Sequence, residues 1–226
     1  MKPWLVKEWC IPKAGAEFVA AMEGILEVYQ RSYDPLRPVV CIDETSKQLI
    51  KEGRIPCEPG NPEKVDSVYV RNGVANVFMI AEPLAGRRET VVTETRNAVD
   101  FAQILKYTSD ILYPRAEKVV LVTGNLNIHA EASLYKAFKP EEARRLAERF
   151  EWHYTPKHGS WLDMAEIEIG IMGRQALAKP LPDMESFQEQ VRIWTIKRNA
   201  ECKKINWQFK TTDARIKLAK LYPIVL

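Results

Sequence analysis

The chain has 226 residues, 46% of them hydrophobic and 28% charged, with a formal net charge of +3. These are the proportions of a soluble globular protein, and the length supports one well-packed domain without demanding two. No apolar run approaches the roughly 20 residues needed to cross a membrane, and the start, Met1 to Glu8, lacks the apolar core and small-residue cleavage site of a signal peptide.

Read in chain order, Lys2 to Pro12 is rich in Trp, Lys and Pro and reads as a linker or arm. Ala14 to Gln30 repeats Phe18, Met22, Ile25, Leu26 and Tyr29 at helical intervals. Tyr33-Asp34-Pro35 breaks that helix, and Val39-Val40-Cys41-Ile42 fits a buried strand with Asp43 at its carboxyl end. Lys51 to Asp66 carries Gly53, Pro56, Pro59, Gly60 and Pro62 and reads as a mobile loop. Ser67–Arg71, Ala75–Ala81 and Glu89–Thr95 then read as three strands of an antiparallel meander, with turns at Asn72-Gly73 and Gly86-Arg87. A helix over Asn97–Leu112, a strand over Lys118–Val122, a helix over Glu141–Phe150, a strand over Trp152–Thr155 and a helix over Met164–Leu177 follow. Met184 to Lys204 is a charged helix, Asn206 to Arg215 looks strand-like, and Arg215 to Leu221 is a short basic helix. Strands first, then alternating helix and strand, predicts an α/β fold with a mixed sheet. The expected division is an arm and helix over 1–37, a central unit over 38–180, and a helical and basic extension over 181–226 packed on it.

The four cysteines (Cys10, Cys41, Cys57, Cys202) are scattered, with no C-x-x-C pair and no zinc-finger interval, and read as reduced thiols. The net charge is too small to identify a nucleic-acid partner.

Three separated motifs carry the chemistry: Cys41-Ile42-Asp43-Glu44-Thr45, Val122-Thr123-Gly124-Asn125-Leu126-Asn127-Ile128-His129 and His158-Gly159-Ser160-Trp161-Leu162-Asp163-Met164-Ala165-Glu166. The first two follow apolar strand-like runs and the third opens a helix, so all three can meet at one edge of a sheet. In this pattern the chain resembles the bacterial insertion-sequence branch of the mariner superfamily of DDE transposases, over about Lys2 to Pro223. That family's second motif reads Asp-Asn-Leu-Asn-Thr-His and its third His-Gly-Ser-Trp-Leu-Asn-Met-Ala-Glu. Here Gly124 stands where the second Asp would be, and Asp163 where the Asn would be.

The resemblance implies a ribonuclease-H-like fold and a DNA cutting and joining enzyme using two Mg²⁺ or Mn²⁺ ions, with no small-molecule cofactor. It implies Asp43 and Glu166 as catalytic acids and metal ligands, with Gly124 marking a missing ligand that weakens metal binding. Asn125, His129, His158 and Asp163 are expected to support the site. Glu44 is expected to point away from Asp43, as alternation along a strand requires. Asp163 is expected to cap the following helix or to reach a metal through water, and Gly124 reads structurally as a turn needing positive φ. On a helix Glu166 and Glu168 lie about 200° apart, so Glu168 is read as a solvated or ion-paired residue. Trp161 is expected to pack in the core, with stacking on a splayed base as the alternative.

Arg87, Arg88, Arg144, Arg145, Lys157, Lys203 and Lys204 are the candidate phosphate partners. Partners implied by the resemblance are transposon-end and target DNA and a second copy in a homodimer, in the cytoplasm of a bacterium, associated with its nucleoid. The family's helix-turn-helix region is missing ahead of the catalytic part, so a truncated copy or a fragment is expected. The alternative is a non-catalytic DNA-binding or assembly module derived from such an enzyme.

Overall fold

The computed structural model describes residues 15–55, 59 and 64–223. The expected arm over 2–12 and most of the segment 56–63 lie outside the described residues. Five strands form one sheet in the order β3-β2-β1-β4-β5. These are β1 (Val39–Ile55), β2 (Lys64–Glu82), β3 (Arg87–Thr93), β4 (Val119–Thr123) and β5 (Phe150–Tyr154). β1, β2 and β3 are antiparallel neighbours, whereas β4 runs parallel to both β1 and β5. The expected mixed sheet is therefore present.

Helices cover both faces. α2 (Ala98–Tyr107), α3 (Ala132–Ala137) and α4 (Pro140–Glu148) follow β3 and β4. Phe101, Leu105, Leu134 and Leu146 from these helices pack with Val40, Ile42 and Leu121 in one core layer. On the other face α1 (Ala16–Tyr29), α5 (Met164–Gln175), α6 (Met184–Ala200) and α7 (Thr211–Lys217) supply Met22, Ile25, Met172, Phe187 and Ala214, packed with Cys41, Val77 and Val122. Coverage of both faces explains the unbroken apolar runs Val39–Ile42 and Val119–Val122, all buried. Each such side chain contributes about 1.5–3 kcal/mol on burial.

Helix starts are chemically marked. Asn97 and Asp100 form a capping box on α2, and Asp183 accepts from Ser186 N at 2.8 Å to start α6. α2 ends in a π-helical turn, Thr108–Leu112, which completes the helix expected to Leu112.

Three sequence expectations are corrected. Asn72-Gly73 is not a hairpin turn: β2 runs straight through it, Gly73 has φ 89°, and the pairing shifts from Gln48↔Val74 to Ile50↔Arg71. An extra residue on β2 is absorbed there as a bulge, the other common use of a left-handed glycine in a strand. Lys51–Asp66 is not all loop, because Arg54↔Val65 and Ile55↔Lys64 pair and carry the hairpin well past the sheet. Long-range strand pairing overrides the Gly and Pro composition. The strand-like stretch before α7 is irregular chain.

Candidate active site

β4 stops at Thr123 while β1 continues. Ile42 pairs with Thr123, and Thr123 Oγ1 donates to Ile42 O at 2.9 Å. Beyond that point no strand among the described residues pairs with β1 on the β4 side. The next residues, Asp43 and Glu44 on β1 and Gly124 after β4, therefore share the open carboxyl end of the parallel strands.

Asp163 N-caps α5, its Oδ1 accepting from Ala165 N at 2.8 Å. Glu166 thus lies in the first turn, where the helix dipole favours a negative charge. Tyr29 Oη donates to Leu162 O at 2.6 Å, tying the segment before α5 to α1. Asp43 is half-buried, and burial with the charges of Glu44 and Glu166 pushes its carboxyl up to about 6. Asp163 is buried, and burial followed by the charges of Asp43, Glu166 and Glu44 pushes it well above the usual range. Four carboxyls therefore repel one another at this end of the sheet.

Glu44 does not stand apart from Asp43. Donor atoms of Asp43, Glu44 and His129 all lie within 4.8 Å of one another. His129 is fully buried, its ring 4.7 Å from that of Phe101. Its Nδ1 donates to Gly124 O at 3.1 Å and its Nε2 meets Glu44 Oε2 at 2.6 Å. The Gly124 carbonyl can only accept, which orients the ring so that Nε2 faces the Glu44 carboxylate. Glu44 keeps the strand alternation, paired with Phe78 and meeting His129 where that ring packs on Phe101, and its carboxylate comes close to that of Asp43 around the edge that β4 leaves open. A consecutive acid pair with a His five residues past Gly124 was the available signal. Glu44 Oε1 and Asp163 Oδ2 are buried without hydrogen-bond partners. Arg96 NH1 lies 3.7 Å from Glu44 Oε1 and carries no sequence mark that singles it out.

Gly124 is not in the left-handed region, which among the described glycines holds only Gly73 and Gly86, so the positive-φ reading is set aside. A Cβ there would lie 3.2 Å from His129 Nδ1, so a side chain at this position presses on the His129–Glu44 pair. Asn125, Lys157 and His158 are exposed and line a cavity of about 390 Å³ with Glu17 and Phe18 of α1. His158 has φ 66°, strained for a residue with a side chain, in the turn closed by Gly159 N to Pro156 O at 2.8 Å. Trp161 is 43% exposed, against the expectation of core packing.

The basic candidates do not gather at the carboxylates. Arg88 is buried, with NH2 2.6 Å from Glu168 Oε1, and Arg198 holds the same carboxylate at 3.0 Å. Its guanidinium faces protein rather than solvent, so it is not a surface phosphate partner. Arg87 pairs with Glu82, three residues along the sheet from the Met79↔Thr90 pair level with Asp43, roughly 10 Å away. Arg145 binds Asp110 at 2.8 Å, in the π-helical turn that precedes β4, and Arg144 binds Glu148. Lys203 and Lys204 lie beside the Pro83–Gly86 turn, where Ile205 N donates to Pro83 O at 3.0 Å. Lys157 alone of these candidates follows the carboxyl end of a parallel strand.

Comparison with known proteins agrees with this architecture. The chain is similar to the Mos1 mariner paired end complex with Mn, at 16% identity and TM-score 0.53, covering 88% of this chain and 60% of that one. It is similar to the Mos1 strand transfer complex at 17% identity and TM-score 0.54, covering 91% and 66%. A third likeness is to the Mos1 transposase paired-end complex with left transposon end, at 17% identity and TM-score 0.53, covering 84% and 58%. The chain thus spans about 60% of the length of the first of these, and at such identities the likeness is one of fold, ribonuclease-H-like. No curated protein sequence matches the chain. Residues 38–188 match the family model described as DDE superfamily endonuclease, which takes in every strand of the sheet and both Asp43 and Glu166. The chain belongs to the DDE superfamily of endonucleases.

Proposed function

We propose that the chain is the catalytic part of a mariner-type DNA transposase of the bacterial insertion-sequence branch, weakened at Gly124. In this reading residues 38–180 carry the chemistry, with an arm and helix assigned to 1–37 and a helical and basic extension to 181–226, in a cytoplasmic protein that meets the nucleoid. No helix among the described residues is long and apolar enough to cross a membrane. The observation that supports the reading is that the acids of distant motifs gather at the open end of β4 where Gly124 stands, with Asp43 beside Glu44 and within reach of the charge of Glu166.

The residues suit a hard divalent cation. Four carboxyls repel one another, two buried carboxylate oxygens have no partner, and oxygen donors are what Mg²⁺ or Mn²⁺ prefers. Asp43 and Glu166 would hold it, and when bound it supplies positive charge for the attacking and leaving oxygens at phosphorus. The protein residues do the positioning. Asp163 fixes the start of α5 and so the direction of Glu166, while His129 holds Glu44 beside Asp43 and shields that pair from water. Lys157, following β5, is the basic candidate closest in topology to a phosphodiester at the carboxylates.

Gly124 offers no ligand, so metal-dependent nicking of a labelled duplex by this chain should be orders of magnitude below that of a complete acid set. Gly124→Asp should raise nicking at least tenfold in Mn²⁺, even though His129 must shift by a few tenths of an ångström. Asp43→Asn in that background should abolish it. Nicking that is insensitive to Asp43→Asn contradicts the reading. The missing ligand also favours a second reading, a binding or assembly module, which predicts DNA binding without nicking even after Gly124→Asp.

A further inference from the structure

Trp161 stands in a motif that otherwise forms turns and a helix cap, yet 43% of it is exposed. It is fixed nonetheless. Its ring stacks on Trp207, with centroids 6.4 Å apart and planes at 21°, and meets Phe209 edge-on at 6.1 Å. Trp207 is anchored in turn: its Nε1 donates to Phe209 O at 2.8 Å and its ring lies 5.1 Å from Tyr29. Two sides of the indole are covered and the remainder faces solvent.

Lysines stand near this ring, with acidic neighbours among them: Lys210 N donates to Asp213 at 3.0 Å, and Glu17 lines the same cavity as Lys157. Lys217 Nζ is 5.8 Å from the centre of the Phe209 ring, Lys210 is exposed beside Phe209, and Lys157 is exposed four residues before Trp161. The helix that carries Glu166 begins three residues after Trp161. A fixed aromatic face, flanked by lysines and next to the carboxylates, matches an unpaired nucleobase with its adjoining phosphates better than an apolar protein partner.

We propose that Trp161 is a stacking platform for an unpaired base of the DNA strand held at the carboxylate end of the sheet, with Lys157, Lys210 and Lys217 facing its phosphates. This deepens the nuclease reading, which supplies DNA as the ligand, but it concerns binding and needs neither metal nor cleavage. In solution the base would stack on the free indole face, so the site selects frayed or single-stranded ends without reading their sequence.

The test is anisotropy of the full chain in EDTA with two fluorescein-labelled probes, a blunt duplex and the same duplex carrying a short unpaired 3′ extension. The wild type should bind the extended probe about tenfold more tightly, the worth of one base on an aromatic face. Trp161→Ala and Trp161→Leu should each lose that preference and keep blunt-duplex binding within about twofold, while Trp161→Phe keeps most of it. Equal binding of both probes by the wild type, or an undiminished preference in the Ala and Leu variants, overturns the proposal. Because no strand is cut, failure of nicking with an intact stacking preference would sink the catalytic reading and leave this one standing.

Discussion

Asp163 shows how one residue takes two demands. As the cap of α5 it accepts a backbone hydrogen bond, a role Asn fills equally well, yet as a buried acid it faces Asp43 with one oxygen unpartnered. Its folded carboxyl titrates above its unfolded value, near 4. Below that pH both states are protonated and there is no penalty. As the pH rises, the unfolded chain releases its proton first and the folded state is disfavoured progressively. Asp163→Asn should therefore stabilise the metal-free protein, with a gain that grows as the pH rises above about 4 in thermal melts in EDTA. A pH-independent loss of stability would show that the carboxylate is needed where it stands. The capping role was legible from the sequence, since an acid directly before an apolar helix marks a start. The proximity of Glu44 was not, because alternation gives the face on which a side chain leaves the strand and not the reach of its carboxylate around an edge that the neighbouring strand leaves open.

At the level of elements, α5 serves as a divider. Glu166 faces the carboxylate end, and Glu168, on the opposite side, is fully buried between Arg88 of β3 and Arg198 of α6. The helical period alone separates these two acids, and an ion-paired Glu168 follows from it. Its partners do not, since they come from a strand 80 residues before and a helix 30 residues after. Glu168→Gln removes the carboxylate that Arg88 and Arg198 share and should cost about 3 kcal/mol in urea unfolding. A loss below about 1 kcal/mol would mean that the triad does not lock β3, α5 and α6 together. The same contrast governs the strands. β4 and α4 were readable because an unbroken apolar run or a helical period is a local signal, whereas the bulge at Gly73 and the extension of β1 to Ile55 depend on a partner strand. Arg88 was misread for that reason too: a basic pair on a strand resembles a surface patch until its inward face meets Glu168.

Across the whole molecule, the antiparallel half of the sheet carries Asp43 on a long strand, and the parallel half ends where Gly124 and Thr155 begin their loops. The candidate phosphate partners Arg145 and Arg87 sit toward the other end of the sheet, so the carboxylate end gains its positive charge from few residues, Arg96 and Lys157 among them. This distribution places the central demand on the carboxylates themselves and on a cation between them. Counting bound Mn²⁺ by electron paramagnetic resonance, in the wild type, Asp43→Asn, Glu166→Gln and Gly124→Asp, addresses that demand directly. The account predicts weak binding in the wild type, loss of it in Asp43→Asn and Glu166→Gln, and tighter binding with a second ion in Gly124→Asp. Mn²⁺ bound equally well by the wild type, Asp43→Asn and Glu166→Gln would contradict it.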